Sequence, residues 1–208
     1  MRKSIGLLLA LALWAGISGP AWAQGDSKFS LAPGAGIALP VGGFGDAYNM
    51  GLHVGAGVDV NLAKNFYLFG DLRYLFFSPD IAGWDFPSSA KISGGQSGIF
   101  SIFTGGKYLA PMSGKLKIYG LAGLGLCFLS TSDLTADYTI VTPWSTTTVH
   151  ATFMFDSETA FGLLFGGGLV YELKPSLGLF AEIRFVNIFT ESESTQILPL
   201  VVGAVIRL

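Results

Sequence analysis

From Gln24 to Leu208 the sequence holds no run of the roughly 18 apolar residues that a membrane-crossing helix needs. Yet half of the chain is hydrophobic and only 12% is charged. An ordinary soluble domain carries roughly 25% charged residues, so a water-facing surface is hard to build from this composition. In lipid every backbone polar group must be satisfied internally, which only helices and closed barrels achieve. With helices excluded, a closed sheet whose strands cross the membrane remains. The apolar content also excludes disorder. A net charge of −2 offers no basic surface for nucleic acid. Cys127 stands alone, which excludes an intramolecular disulfide framework and a multi-Cys metal site.

The first 23 residues read as a signal peptide, with Arg2 and Lys3 at the start and an apolar core from Ile5 to Ile17. Ala21-Trp22-Ala23 is the expected cleavage site, and the alternative of an uncleaved anchor is opposed by Gly16, Gly19 and Pro20. The barrel domain is then expected over 24–208.

Eight segments have strand character: 29–40, 51–62, 66–77, 96–109, 115–130, 158–173, 176–189 and 196–208. In the second, Leu52, Val54, Ala56, Val58, Val60 and Leu62 share one face and His53, Gly55, Gly57, Asp59 and Asn61 the other. The third sets Leu68, Leu72, Tyr74 and Phe76 against Asp71 and Arg73. The seventh sets Leu177, Leu179, Ile183 and Phe185 against Glu182 and Arg184. The fifth is apolar on both faces, which leaves its orientation open. Short connections (63–65, 110–114, 174–175) alternate with longer ones (41–50, 78–95, 131–157, 190–195). Outer-membrane barrels keep their periplasmic turns short and their extracellular loops long. The expected fold is therefore all-β: an eight-stranded antiparallel transmembrane β-barrel with both termini periplasmic. A soluble barrel is the alternative, and it would want polar residues where the outer faces carry Leu, Val, Ile and Phe.

Residues 55–74 align without a gap on residues 166–185, matching Gly55 to Gly166, Gly57 to Gly168, Leu62 to Leu173, Asp71 to Glu182 and Arg73 to Arg184. One hairpin is used twice. Its pattern, Gly-x-Gly, a short turn, then acidic-x-Arg-aromatic, resembles the small outer-membrane β-barrel family typified by the OmpA and OmpX transmembrane domains. The resemblance implies location in the bacterial outer membrane, with membrane lipids as neighbours. It also implies a C-terminal assembly signal at Gly203, Ile206 and Leu208, read by the barrel-assembly machinery. The family usually places aromatics where Ile206 and Leu208 stand.

The site of interest is the charged set Asp71, Arg73, Glu182 and Arg184. An Arg on the lipid face would cost roughly 2–4 kcal/mol at the midplane, so these side chains are expected inside. Pairing Leu62 with Phe66 across the turn sets Gly57 opposite Asp71 and Gly55 opposite Arg73. The second hairpin sets Gly168 opposite Glu182 and Gly166 opposite Arg184. The two charged strands then lie on opposite sides of the ring, and an eight-stranded interior is just filled by side chains. A structural charge network is the expectation.

Other constellations are weaker. The glycine runs at 120–125 and 166–168 lie inside strand patterns, whereas a phosphate cradle needs a turn opening a helix. His53 and His150 lack neighbours at metal spacing, and neither a metal nor a cofactor is expected. His150, Thr152 and Glu158 form the nearest approach to a catalytic set, but no serine stands in the nucleophile position. The sequence thus favours a non-enzymatic barrel that supports membrane integrity or presents surface loops. A narrow gated channel and a lipid-modifying enzyme remain as alternatives, and no loop ligand is legible.

Overall fold

The computed structural model describes residues 28–81, 90–142, 144–191 and 194–208. The signal-peptide reading of residues 1–23 lies outside them. Among the described residues eleven strands form: β1 (Phe29–Val41), β2 (Gly51–Ala63), β3 (Phe66–Phe77), β4 (Lys91–Gly94), β5 (Ser97–Leu109), β6 (Leu116–Thr131), β7 (Leu134–Thr142), β8 (Ser145–Phe153), β9 (Glu158–Lys174), β10 (Leu177–Phe189) and β11 (Ser194–Arg207), with a short helix α1 (Gly43–Ala47).

Eight of the strands close into a barrel in the order β1-β11-β10-β9-β6-β5-β3-β2, each antiparallel to its neighbours. These are the eight segments legible in the sequence. Closure leaves no free edge in the wall, as lipid requires. The outer face is apolar and exposed, with Leu52, Val54, Leu72, Tyr74, Leu124, Leu126, Leu179 and Ile183 among its residues. A soluble barrel would be solvated on that face.

The orientation of β6 is settled by closure. Tyr119, Leu121 and Cys127 are buried, while Ile118, Leu124, Leu126 and Phe128 are exposed outside. Alternation could not distinguish the faces because both are apolar.

The turn register differs from the expected one by a bulge. Ala63, not Leu62, lies opposite Phe66, although Gly57 faces Asp71 and Gly55 faces Arg73. Leu62 is the extra residue that a bulge inserts. At the corresponding position of the repeat, Lys174 pairs with Leu177 and Glu172 with Gly178, which leaves Leu173 over. Both copies of the hairpin therefore share the bulge as well as the glycines. Asn65, at φ 65°, carries the tight turn between β2 and β3, a left-handed conformation that Asn tolerates better than most residues.

The long segment 131–157 is not a plain loop. It holds the hairpin β7–β8, which joins β4 in a three-stranded sheet of order β4-β7-β8. Its strands have good propensity and alternate, with Leu134, Ala136, Val149 and Ala151 on one face against Thr135, Asp137, His150 and Thr152 on the other. Leu134 and Ala136 are buried. The Ser/Thr-rich stretch at the hairpin tip is what reads as loop. In the 41–50 connection, α1 brings Phe44 and Tyr48 over Phe77, with ring centroids 5.1 and 6.5 Å from it. The long-loop end of the barrel is capped by aromatic packing.

Candidate functional site

The barrel interior is built in layers by the inward residues of the strands. Asp71 and Arg73 come from β3, Glu182 and Arg184 from β10, and these strands stand opposite each other in the ring. All four residues are between 3% and 7% exposed.

Two guanidinium groups clamp Asp71. Arg73 donates from Nε and Nη2 at 3.2 and 2.8 Å, and Arg184 donates from Nη1 and Nη2 at 2.9 and 3.2 Å. An ionised carboxylate offers about four lone-pair sites, and all of those on Asp71 are used. Arg184 also donates from Nε to Glu182, whose other oxygen accepts the Tyr119 hydroxyl at 2.7 Å. Arg73 Nη1 lies 3.2 Å from His53 Nδ1, and His53 Nε2 lies 3.0 Å from the Leu200 carbonyl. Arginine can only donate, so Nδ1 accepts and Nε2 carries the proton toward the carbonyl.

The sequence suggested one local pair on each strand. The structure adds the link across the lumen, and the two pairs become one network. Burying unpaired ions costs several kcal/mol each unless geometry and hydrogen bonds compensate. The bidentate contacts provide that compensation.

Three residues not singled out in the sequence complete the layer. Lys107 donates to Asp59 at 2.7 Å, and its Nζ lies 4.3 Å from the centroid of the Tyr119 ring. Asp59 already stood on the polar face of its strand. Tyr119 lies on a strand that is largely apolar on both faces, and Lys107 on the inner face of β5, which mixes Ser97 and Ser101 with Ile99 and Phe103, so no clean alternation flagged them. Acids and bases balance here: Asp59, Asp71 and Glu182 face Arg73, Lys107 and Arg184.

Toward the short-turn end, Glu172 accepts from Lys117 at 2.8 Å and from Arg207 at 2.7 Å. Toward the long loops the fill becomes apolar, with Leu75, Ile99, Phe103, Leu164, Ile188 and Ile197 buried together. Two small cavities lie against the charged layer. One of about 20 Å³ is bounded by Ala32, Gly57, Asp59 and Tyr119, and one of about 10 Å³ lies under Ile99 and Ile197. A water molecule needs roughly 10–15 Å³ of such space, so each has room for about one. The interior is filled.

The glycines opposite the charged residues differ in crowding. A Cβ at Gly168 would meet the Tyr119 hydroxyl and the Ala181 carbonyl at 2.6 Å each. At Gly57 the nearest atom is Asp71 Oδ2 at 3.4 Å, an ordinary contact. The repeat explains the difference: the neighbour across from Gly168 is Tyr119, whereas the neighbour across from Gly57 is Ala32. One side of the lumen is closed by the tyrosine and the other keeps the cavity.

The other residues marked in the sequence are dispersed. His150 Nδ1 lies 2.6 Å from Asp137 across the β7–β8 hairpin. Glu158 instead accepts the Glu191 backbone N–H at 2.9 Å. Among the described residues no group of His, Cys, Asp and Glu is arranged to hold a metal. Of the C-terminal set, Gly203 pairs with Gly34 and Phe180, while Ile206 and Leu208 are exposed.

Solved structures with the same fold include Neisserial surface protein A, at 18% identity and TM-score 0.57, covering 89% of this chain and 100% of that one. The attachment invasion locus protein Ail of Yersinia pestis matches at 12% identity and TM-score 0.50, over 89% and 100%. A major outer membrane protein of Thermus thermophilus matches at 15% identity and TM-score 0.52, over 86% and 99%. A comparison with curated proteins finds no match. The sequence profile of the outer membrane protein beta-barrel domain matches residues 9–203. With the closed eight-stranded wall, its apolar outer face and that match, the chain belongs to the outer-membrane β-barrel family.

Proposed function

We propose that this protein is a non-enzymatic barrel of the bacterial outer membrane, delivered there by a leader cleaved after Ala23. Its closed body supports the envelope and its long-loop end is presented outside. The observation that carries this reading is the filled interior, in which a charge-balanced layer and an apolar layer leave room for about one water in each cavity. Membrane lipids surround the apolar wall. The barrel-assembly machinery reads the C-terminal strand through Gly203, Ile206 and Leu208, the last two of which are exposed.

Conductance across planar bilayers tests the closed body. The folded protein should give no steady current, and the masses of bilayer lipids incubated with it should not change. A steady open level would replace this reading with a narrow channel, and a new lipid species would replace it with an enzyme.

The topology has its own test. Trp144, at the tip of the β7–β8 hairpin, is 94% exposed, and Met154, just after β8, is 82% exposed. Chymotrypsin added to intact cells should cut at these two places, since exposed tips are where nicking concentrates. The paired strands β7 and β8 should resist it. Cleavage at 110–114 instead would mean that the short turns face outward.

A further inference from the structure

The two ends of the barrel differ in sign. At the short-turn end, Lys28 precedes β1, Lys64 lies in the β2–β3 turn, Lys115 precedes β6 and Lys174 ends β9. All four are exposed. None takes part in the ion pairs found among the described residues. The long-loop end carries Asp80, Asp133, Asp137, Asp156, Glu158 and Glu191, and Lys91 is its only lysine or arginine among the described residues.

The lysines also stand at a particular depth. Lys28 is adjacent to the exposed Phe29, Lys64 is two residues from Phe66, Lys174 is three from Tyr171, and Lys115 adjoins Leu116, which pairs with that same Tyr171. With a strand rise of about 3.3 Å per residue, each backbone lies within roughly 10 Å of the last lipid-facing aromatic. Aromatic girdles mark the membrane interfaces of such barrels. A lysine stem can lie along that apolar edge while its ammonium reaches the headgroups. In the strand order they fall as two pairs on opposite sides of the barrel, Lys28 with Lys64 at β1–β2–β3 and Lys115 with Lys174 at β6–β9. The ring they make therefore has its gaps at β11 and β5 and is not one patch.

We propose that Lys28, Lys64, Lys115 and Lys174 form a ring that binds the phosphates of anionic phospholipid headgroups at the short-turn end. The ring fixes the depth of the barrel and distinguishes the two leaflets by charge. Negative surface charge attracts basic segments beside a membrane, and the acidic far end lacks that attraction. This rests on the membrane-barrel reading but not on whether the interior conducts.

Native mass spectrometry of the full folded barrel, released from micelles containing phosphatidylglycerol or phosphatidylcholine, tests the ring. The protein should retain phosphatidylglycerol adducts in preference to phosphatidylcholine. Changing all four residues, as Lys28→Gln, Lys64→Gln, Lys115→Gln and Lys174→Gln, should weaken retention by about fivefold per site, the size expected of one lysine beside a lipid surface. The four corresponding Lys→Arg changes should preserve it. Equal retention of both lipids, or undiminished retention by the Gln variant, overturns the proposal. Displacement of the lipid by millimolar inorganic phosphate would also overturn it, because the ring would then be a general phosphate site. Circular dichroism separates this from failure of the membrane-barrel reading, which would appear as loss of strand signal in lipid. Should the quadruple variant not fold, Lys64→Gln and Lys174→Gln made singly must each lower the adduct signal.

Discussion

Arg184→Ala should lower the denaturant midpoint of the detergent-folded barrel by the equivalent of about 3–5 kcal/mol, the usual cost of leaving a buried charge without its partner. Arg184 binds Asp71 through both Nη atoms and Glu182 through Nε. Its loss leaves Glu182 with only the Tyr119 hydroxyl and leaves two carboxylates near each other without the cation between them. Arg73→Ala should cost less, because Asp71 keeps Arg184 and the abandoned His53 Nδ1 is a neutral acceptor. Leu72→Ala, on the exposed outer face, should cost least, since lipid or detergent fills much of the vacated space. Equilibrium unfolding in urea, followed by gel mobility or tryptophan fluorescence, gives the order. An unchanged midpoint for Arg184→Ala would show that the network contributes nothing to stability.

The second large effect is steric and separates two glycines that look equivalent in the sequence. Gly168→Ala should destabilise by about 1–3 kcal/mol, the range for overpacking a close-packed interior. The added methyl would press on the Ala181 carbonyl and the Tyr119 hydroxyl at 2.6 Å. Backbone cannot yield cheaply, and Tyr119 is held by Glu182 and overlaid by Lys107. Gly57→Ala should be nearly neutral, because its Cβ meets Asp71 Oδ2 at 3.4 Å beside a cavity of about 20 Å³. Gly57→Leu should still overpack, since a leucine exceeds that space. Thermal unfolding of the three variants in the same detergent decides the matter. Equal loss at Gly57→Ala and Gly168→Ala would mean that Tyr119 does not close that side of the lumen.

The three-stranded sheet of β4, β7 and β8 and the full membership of the charged layer were harder to read than the wall. Alternation records a surface that is apolar on one side and polar on the other. β7 and β8 carry that contrast, Leu134 and Ala136 being buried while Thr135 and Asp137 lie on the opposite face, but the two strands meet at a Ser/Thr-rich tip, 145–148, that reads as loop. Tyr119 points inward from a strand largely apolar on both faces, and Lys107 from a face of β5 that mixes Ser97 and Ser101 with Ile99 and Phe103, so neither strand shows a clean contrast.

The sequence by itself determined that eight strands cross a membrane and which faces of β2, β3 and β10 turn inward. Lipid on one side and buried charge on the other impose a period of two that each strand carries locally. It also determined the glycine opposite each charged side chain, because the polar faces of paired strands must both turn inward. The turn pair of Ala63 with Phe66 alone would set Val58 opposite Asp71, and the bulge restores Gly57 there. Only the tertiary structure decided which charges meet. Arg184 and Asp71 are 113 residues apart and touch at 2.9 Å because ring closure sets β10 across from β3. The same closure placed Tyr119 over Gly168 and Ala32 over Gly57. A local pattern fixes what a residue faces along its own hairpin, but a contact across the lumen depends on the strand order and stagger of the whole barrel.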